Sequence, residues 1–117
     1  MERSDAIAAL AALAQEHRLE TYRLLVQAGP EGISAGEVAA TIGLPPNTLT
    51  FHFDRLRQAG LVTVRREGRS MIYAARYDTM NALLGYLTDN CCQGRECDPA
   101  RSKTAAPSVP SRREKVT

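Results

Sequence analysis

The sequence predicts a mainly α-helical fold with one small β-hairpin, and three observations support this fold class. Apolar residues recur at helical spacing in five segments, at about residues 4–14, 17–27, 35–42, 46–59 and 78–90. Two short runs rich in Val, Ile and Tyr, at 61–66 and 70–76, flank the turn dipeptide Glu67-Gly68. The length of 117 residues allows one domain, and a domain of this size often gains stability by pairing with a copy of itself.

Apolar spacing and a Gly-Pro stop define the first two helices. The first carries Ile7, Leu10 and Leu13 among alanines. The second runs from about His17 to Gln27, because Gly29-Pro30 ends the helical pattern. The residues of the second helix that we expect to face inward are Leu19, Tyr22, Leu25 and Val26.

A short helix, a tight turn and a longer helix come next. Ser34 is a suitable N-cap for the third helix, since Glu37 three positions later completes a capping-box pattern. That helix stops at Gly43, and the turn at 44–47 leads into a fourth helix that runs to Ala59. The residues of its expected inward stripe are Leu49, Phe53 and Leu56.

The last helix is predicted from Asp78, as N-cap, to about Asn90. Its apolar stripe consists of Met80, Leu83, Leu84 and Leu87. We expect the Ala/Leu stripes of the first and last helices to join two chains in a homodimer. Beyond residue 97 the chain is rich in Pro, Ser, Ala and charge. The prediction is therefore one domain over residues 1–97 and a disordered basic tail over 98–117.

Charge and hydropathy narrow the function classes. No apolar run approaches the roughly 18 residues that cross a bilayer, and the charged N-terminus is unlike a signal peptide. We therefore expect a cytoplasmic protein without a membrane partner. The net charge is +2, but residues 54–76 hold six arginines against Asp54 and Glu67, a local charge of +4. Such focused positive charge is typical of a nucleic-acid contact surface, although a solvated face without a partner is the alternative.

A short helix, a turn, a second helix and a two-stranded wing form the winged helix-turn-helix plan. In this plan the second helix enters the major groove and the wing contacts adjacent phosphates. The residues of this helix predicted to read operator DNA are Asn47, Thr48, Thr50, Phe51, His52 and Arg55. The predicted phosphate contacts of the wing are Arg65, Arg66 and Arg69. Two alternatives stay open: His52 packs within the helices, and Phe51 packs on the wing instead of touching a base methyl.

The stretch EVAATIGLPPNTLTFHFDRLRQAGLVTVRREGRSMIY, residues 37–73, resembles the DNA-binding core of the ArsR/SmtB regulators. The Ala-Gly-Leu-Val turn and the Arg-Glu-Gly-Arg wing carry much of this resemblance. The segment AALAQEHRLETYRLLVQAG, residues 11–29, is similar to the first helix pair of the family. The resemblance covers about residues 6–92. It implies a dimeric transcriptional repressor that binds double-stranded operator DNA and is not an enzyme.

All three cysteines, Cys91, Cys92 and Cys97, lie within seven residues near the end of the predicted domain. Structural cysteines scatter through cores, and a cytosolic setting disfavours a stable disulfide. Three convergent thiolates without a fourth ligand fit a soft three-coordinate centre such as As(III) or Sb(III). Zinc or cadmium is the competitor, with Asp89, Glu96 or Asp98 as an oxygen ligand. Exposed neighbouring thiols are also suited to redox sensing.

The family resemblance sharpens the ligand prediction. Residues 33–42 contain no cysteine pair, and residues 78–90 lack the histidine ligands typical of the family's zinc sensors. The cysteine trio is similar to that of a subgroup of arsenite sensors with a Cys-Cys pair and a third cysteine after the last helix. We expect As(III) or Sb(III) as inducer, no organic cofactor and no catalytic residue. The alternatives are a redox-sensing or soft divalent metal-sensing (Cd, Zn or Pb) repressor and a thiol metal carrier.

Overall fold

A computed structural model describes residues 1–94 and confirms the predicted fold class. Five α-helices surround one small antiparallel sheet in this part of the chain. The elements are α1 (Arg3–Leu13), α2 (Glu16–Ala28), β1 (Ile33–Ser34), α3 (Ala35–Ile42), α4 (Pro46–Gln58), β2 (Val62–Glu67), β3 (Ser70–Ala75), α5 (Tyr77–Leu87) and a 3-10 turn (Cys91–Gly94). Residues 1–87 form one compact unit, and Thr88 begins a second. The predicted tail and Cys97 lie outside the described residues.

Local capping explains where the helices begin and end. The Ser34 hydroxyl accepts a hydrogen bond from the Glu37 amide at 3.2 Å, which confirms Ser34 as the N-cap of α3. Gly43 ends that helix with a φ of 83°, a left-handed conformation that favours glycine. At the start of α2, the Gln15 side chain accepts from the Arg18 amide at 2.9 Å, a cap that the sequence analysis missed.

The sheet contains one more strand than the sequence analysis predicted. The strand order is β1-β3-β2, and both pairings are antiparallel. The added strand β1 is two residues long and pairs with Ile72 and Tyr73 of β3. Gly32 precedes it with a φ of 77°, and a Cβ there would collide with the Tyr73 carbonyl oxygen. In the hairpin, Glu67 pairs with Ser70, so the turn is Gly68-Arg69, one residue later than predicted.

The core centres on α4 and β3. The inward stripe of α4 is confirmed, because Leu49, Phe53 and Leu56 are all at most 1% exposed. The Phe53 ring stacks on the Tyr73 ring with centroids 3.6 Å apart and an interplanar angle of 3°. The other large side chains that are fully buried around this pair are Leu25, Val38 and Leu61.

The predicted inward face of α2 was partly wrong, and α1 buries its alanines instead of its larger apolar residues. Helix α1 buries Ala6, Ala9 and Ala12, whereas Ile7 is 59% exposed and Leu10 43%. In α2, Tyr22 and Leu25 are buried as predicted, but Thr21 takes the place of Leu19, which is 46% exposed. Alanine lets the backbones of neighbouring helices approach closely, so the face of α1 with small side chains packs inward and the larger residues lie on the surface.

The last helix also differs from the prediction. It spans Tyr77–Leu87, so Asp78 lies in the first turn instead of at the N-cap, and the helix ends three residues before Asn90. Of the predicted stripe, Leu83 is buried, while Leu84 and Leu87 are 55% and 54% exposed. Helices α1 and α5 contact each other. Exposed Ile and Leu side chains therefore line two neighbouring helices.

Two phenylalanines on the same helix give a matched test of this packing. We expect Phe53→Ala to lower the free energy of unfolding by about 3–5 kcal/mol, because it leaves a cavity beside Tyr73. Phe51→Ala removes a ring that is 51% exposed, so the loss should stay below about 1 kcal/mol. Urea denaturation followed by circular dichroism measures both. Equal losses for the two variants would contradict the assignment of Phe53 to the core.

Candidate nucleic-acid interface and thiol site

The exposed face of α4 carries five of the six predicted DNA-reading residues. These residues are Asn47, Thr48, Thr50, Phe51 and Arg55. The Asn47 side chain accepts from the Thr48 amide at 3.0 Å within the first turn, whereas the N-cap residue, Pro45, makes no side-chain cap. The exposed Thr50 hydroxyl donates its proton to the Pro46 carbonyl at 2.9 Å, so it is left as an acceptor on this face. The first two turns of α4 thus present short polar side chains in fixed positions.

Phe51 and Arg55 form one unit on this face. The Arg55 guanidinium carbon lies 5.0 Å from the centroid of the Phe51 ring, within the range of a cation–π contact. Phe51 therefore packs against a residue of its own helix, an arrangement that neither sequence alternative anticipated. The contact holds a planar set of N–H donors above the helix surface, and such a set suits guanine edges and phosphates.

Of the two alternatives for His52, packing within the helices is confirmed, and its place among the DNA-reading residues of the outer face was wrong. Its side chain is 7% exposed, and its ring centroid lies 6.0 Å from that of His17 on α2. Nη1 of Arg18 lies 3.4 Å from Nδ1 of His52. Burial lowers the pKa of His52 below its ordinary value, and the guanidinium of Arg18, followed by the electrostatic interaction with His17, lowers this pKa further. His52 is therefore neutral at neutral pH and belongs to the packing beneath the exposed face.

The wing has its positive charge concentrated near the turn. Arg65 donates from Nε and Nη2 to one oxygen of Glu67, at 2.9 and 2.8 Å, so this arginine is largely neutralised. Arg66 lies on the opposite face of the strand, and its Nε donates to the Gly68 carbonyl at 3.1 Å. The Arg69 guanidinium has no hydrogen-bond or ion-pair partner within residues 1–94. Arg69 is the wing residue whose charge is most available to a phosphate.

Ion pairing identifies which arginines carry the local excess of charge. Asp54 pairs with Arg57 at 3.5 Å, and Glu67 pairs with Arg65. The arginines of this segment that have no carboxylate partner in the described part of the chain are Arg55, Arg66, Arg69 and Arg76. Three of these four lie on the exposed face of α4 or in the hairpin. The uncompensated positive charge of this segment therefore lies mainly on α4 and the wing, the two elements predicted to contact DNA.

Two of the three predicted thiol ligands lie in the short turn after α5. Cys91 and Cys92 are exposed, and their sulfur atoms are 4.0 Å apart. Cys92 has a φ of 58° and Asn90 a φ of 56°, so the chain leaves the right-handed helical conformation here. The third predicted ligand, Cys97, lies outside the described residues. Within residues 1–94 no three His, Cys, Asp or Glu side chains are grouped closely enough to hold a metal ion.

Arg18, which was not predicted from the sequence, contacts both α1 and His52 of α4. Its position in the first turn of α2, one residue after His17, gave no signal of either contact. In the part of the chain that the structure describes, no helix combines the length and the apolar character needed to cross a bilayer.

Comparisons with known proteins agree with this geometry. A family model for a helix-turn-helix domain matches residues 13–65, from the end of α1 into β2. The chain is 38% identical over 77 residues to the uncharacterised HTH-type transcriptional regulator YceK of Bacillus subtilis (strain 168). That match covers 65% of this chain and 76% of YceK.

Solved structures are similar over most of the described fold. An ArsR-like transcriptional regulator from Rhodococcus sp. RHA1 superposes with a TM-score of 0.67 at 24% identity, covering 78% of this chain and 83% of that one. The homodimeric winged helix-turn-helix DNA-binding domain of Mb0332 from Mycobacterium bovis superposes with a TM-score of 0.60 at 24% identity. This match covers 81% of this chain and 88% of the Mb0332 fragment. At these identities the likeness concerns the fold.

The wing arginine offers a test of the interface. We expect Arg69→Ala to weaken binding to operator and to unrelated duplex DNA by similar factors, because phosphate contacts carry no sequence information. The slope of log K against log salt concentration should become shallower by about 0.9. Fluorescence anisotropy at several salt concentrations, with an operator selected from a random duplex library, measures both quantities. Arg23→Ala removes an equal charge from α2 and serves as the control; an unchanged slope for Arg69→Ala would contradict the phosphate contact.

Proposed function

Because the chain belongs to the helix-turn-helix transcriptional regulators and has the winged fold of their ArsR-like members, we propose that it is a metalloid-responsive repressor. In this proposal a homodimer binds operator DNA and blocks transcription. As(III) or Sb(III) then binds the thiolates of Cys91, Cys92 and Cys97, and the dimer releases the DNA. The inducer is a ligand of the regulator and not a resident cofactor.

The DNA-binding part of the proposal rests on the shared surface of α4 and the wing. Exposed Asn47 and Arg55 offer the donor and acceptor patterns that suit adenine and guanine edges. Arg66 and Arg69 at the wing add positive charge beside them. Thr48 and Thr50 complete a helix face on which each outward side chain can contact a base edge or a thymine methyl.

The homodimer is supported by the apolar side chains that α1 and α5 leave exposed. Ile7 and Leu87 are more than half exposed, and Leu10 is 43% exposed. A single chain leaves these residues in water, whereas a second copy that contributes the same face would bury both sets. A twofold axis through this face would present two α4 helices to successive major grooves of an inverted repeat.

The observation that carries metalloid sensing is the distance of 4.0 Å between the sulfur atoms of Cys91 and Cys92. With bonds of about 2.3 Å, the length of a zinc–thiolate bond, two sulfurs on one atom lie at most about 4.6 Å apart, and only when the three atoms are in line. Binding to a bent, three-coordinate centre would draw these two sulfurs slightly closer together than 4.0 Å. The left-handed backbone at Cys92 brings two adjacent side chains to the same side, which a regular helix would not do. Cys97, five residues further along the chain, would supply the third thiolate of a three-coordinate site.

Release of DNA requires thermodynamic coupling between the two sites. If the metalloid weakens DNA binding by some factor, DNA weakens metalloid binding by the same factor. A complete switch needs a preference of about 10⁴-fold, or roughly 5.5 kcal/mol. Three metalloid–thiolate bonds per chain are strong enough to supply a difference of this size.

Redox sensing is the second candidate, and the exposure and proximity of the same two thiols favour it. Exposed neighbouring thiolates are readily oxidised, and oxidation would remove the ligands of a metalloid site. The two candidates differ in what releases the DNA. A metalloid sensor responds to As(III) under reducing conditions, whereas a redox sensor responds to a hydroperoxide and recovers with a reductant.

The dimer face is tested by placing a charge on it. We expect Ile7→Glu to weaken the dimer at least about tenfold and to lower operator affinity, because two carboxylates would be buried against apolar side chains. Met71→Glu adds the same charge to an exposed apolar residue of the wing, 41% exposed, and is the matched control for dimerisation. Sedimentation velocity across a concentration series gives the dissociation constants. A dimer that tolerates Glu at position 7 would place the interface elsewhere.

The inducer site is tested by serine substitution of each cysteine. Cys91→Ser, Cys92→Ser and Cys97→Ser should bind the operator as tightly as the wild type, and As(III) should no longer release them. Thiolate–As(III) charge-transfer absorbance should fall in parallel. Asp89→Asn removes a carboxylate near the same turn and is the control: it should leave As(III) induction unchanged, whereas a zinc or cadmium site with an oxygen ligand would lose affinity.

Two results would contradict the site assignment. Release of the operator from all three serine variants by As(III) would move the site away from the cysteine trio. Release of the wild type by a hydroperoxide but not by As(III) would select the redox candidate.

A further inference from the structure

One guanidinium links three helices at the centre of the compact unit. Arg18 lies in the first turn of α2, where the Gln15 side chain caps its amide. Its Nε donates to the Ala12 carbonyl of α1 at 2.7 Å, and its Nη1 lies 3.4 Å from Nδ1 of His52 on α4. We call this set of contacts, from the Ala12 carbonyl through Arg18 to His52, the Arg18 bridge.

The contact with α1 compensates the end of that helix. The last carbonyls of an α-helix have no intrahelical partner, and they carry the negative end of the helix dipole. Helix α1 has no basic residue in its own last turn. Arg18 supplies the missing positive charge from α2, through a short hydrogen bond to a residue that is 8% exposed. This half of the bridge therefore fixes the end of α1 against the start of α2.

The contact with α4 lies directly beneath the exposed face. His52 is buried, while Phe51 and Arg55 on the outer surface of the same helix are exposed. The Phe51 and His52 rings meet edge to face, with centroids 5.7 Å apart. A shift of His52 relative to Arg18 would rotate α4 and move the side chains that face the groove.

We propose that Arg18 is a positioning residue for DNA reading, which sets the orientation of α4 relative to α1 through its contacts with the Ala12 carbonyl and His52. The inference rests on the proposed function, since α1 belongs to the proposed dimer face and α4 to the DNA-reading surface. The bridge thus connects the element that sets the spacing of two chains to the element that reads base edges. Arg18 itself does not contact DNA in this proposal.

The bridge requires a neutral His52, because only an unprotonated Nδ1 can accept from Arg18. The charged and titratable groups around it are Arg18 and His17 on α2, Glu20 at 3.8 Å from His17, and Arg55 across Phe51 on α4. From α1, the group that faces the bridge is the Ala12 carbonyl. A proton on His52 would place a positive charge beside the Arg18 guanidinium and break the contact with Arg18.

The sign of the pH dependence follows from the lowered pKa of His52. At neutral pH the side chain is neutral in both folded and unfolded chains, so the bridge is intact. As the pH falls below the ordinary value of 6.5, the unfolded chain takes up the proton first. Stability therefore falls with pH in that range and levels off below the pKa of the folded state. Operator affinity should fall as His52 of the folded dimer becomes protonated.

Substitutions at position 52 separate positioning from packing. Asn places an acceptor near the position of Nδ1 and does not titrate, so His52→Asn should keep operator affinity within about threefold and remove the His52 component of the pH dependence. His52→Leu removes the acceptor and should weaken operator binding roughly tenfold, about the effect of losing one base contact. Binding to unrelated duplex DNA should change by less than about threefold, because the wing arginines remain.

Substitutions at position 18 test the arginine of the Arg18 bridge. Arg18→Met should weaken operator binding as His52→Leu does. It should also raise the pKa of His52, followed by the ring proton in NMR titrations, because a neighbouring positive charge is removed. Arg18→Lys keeps the charge and should leave the His52 titration close to that of the wild type. Arg23→Met, which changes an exposed arginine of the same helix, is the control and should change neither quantity.

Three results would overturn the proposal. The first is an equal loss of operator and unrelated DNA binding in Arg18→Met, which would indicate general destabilisation or a direct phosphate contact. The second is unchanged operator affinity in Arg18→Met. The third is a His52 titration that is unaffected by Arg18→Met. If the wild type binds no DNA, the proposed function fails, and the NMR titration still decides whether the bridge exists.

Discussion

The stack of Phe53 on Tyr73 is the contact on which the arrangement of the DNA-facing elements depends. It joins the buried side of α4 to the buried side of β3, with ring planes 3° from parallel. The exposed side of α4 carries five of the six predicted base-reading residues, and β3 begins directly after the arginine-bearing turn Gly68-Arg69. Because the hairpin pairs residue by residue from Val62↔Ala75 to Glu67↔Ser70, its position follows from the position of Tyr73. Two aromatic rings in the core thus set the geometry of a surface.

The small size of the core leaves apolar side chains of α1 and α5 exposed to water. A core of this size is filled by the stripe of α4, the rings and a few residues of α2, so the inward face of α1 needs only Ala6, Ala9 and Ala12. Small side chains bring the helix axes close, but they bury little apolar area each. The larger residues, Ile7 and Leu10, remain outside. A second chain would bury these exposed apolar side chains and so add stability that the core of one chain does not provide. This is the physical reason to expect the dimer.

Much of the fold was predictable from the sequence, and the errors have definite causes. The inward stripe of α4 was predicted because large apolar residues recur there at helical spacing. The Ser34 cap was predicted because a glutamate follows this serine three positions later. In α1 the alanine face and the Ile/Leu face are both apolar, so periodicity alone did not select the buried one. His52 lies three residues after Leu49 and four before Leu56, so its spacing is that of the inward stripe. Because histidine is polar, this buried position was not recognised from the sequence. Strand β1 is two residues long, too short for any pattern, and the Arg18 bridge joins residues 34 positions apart.

The two parts of the proposed function rest on different physics, and this difference explains what relatives share. Reading DNA needs the whole core, because α4 and the wing keep their relative position only while Phe53, Tyr73 and their neighbours pack. In the proposed function, binding of the inducer needs the sulfur atoms of Cys91, Cys92 and Cys97, which follow the compact unit of residues 1–87 in the sequence. Similarity to other regulators identifies the DNA-binding half of such a protein, and the ligand has to be argued from the cysteines of this chain.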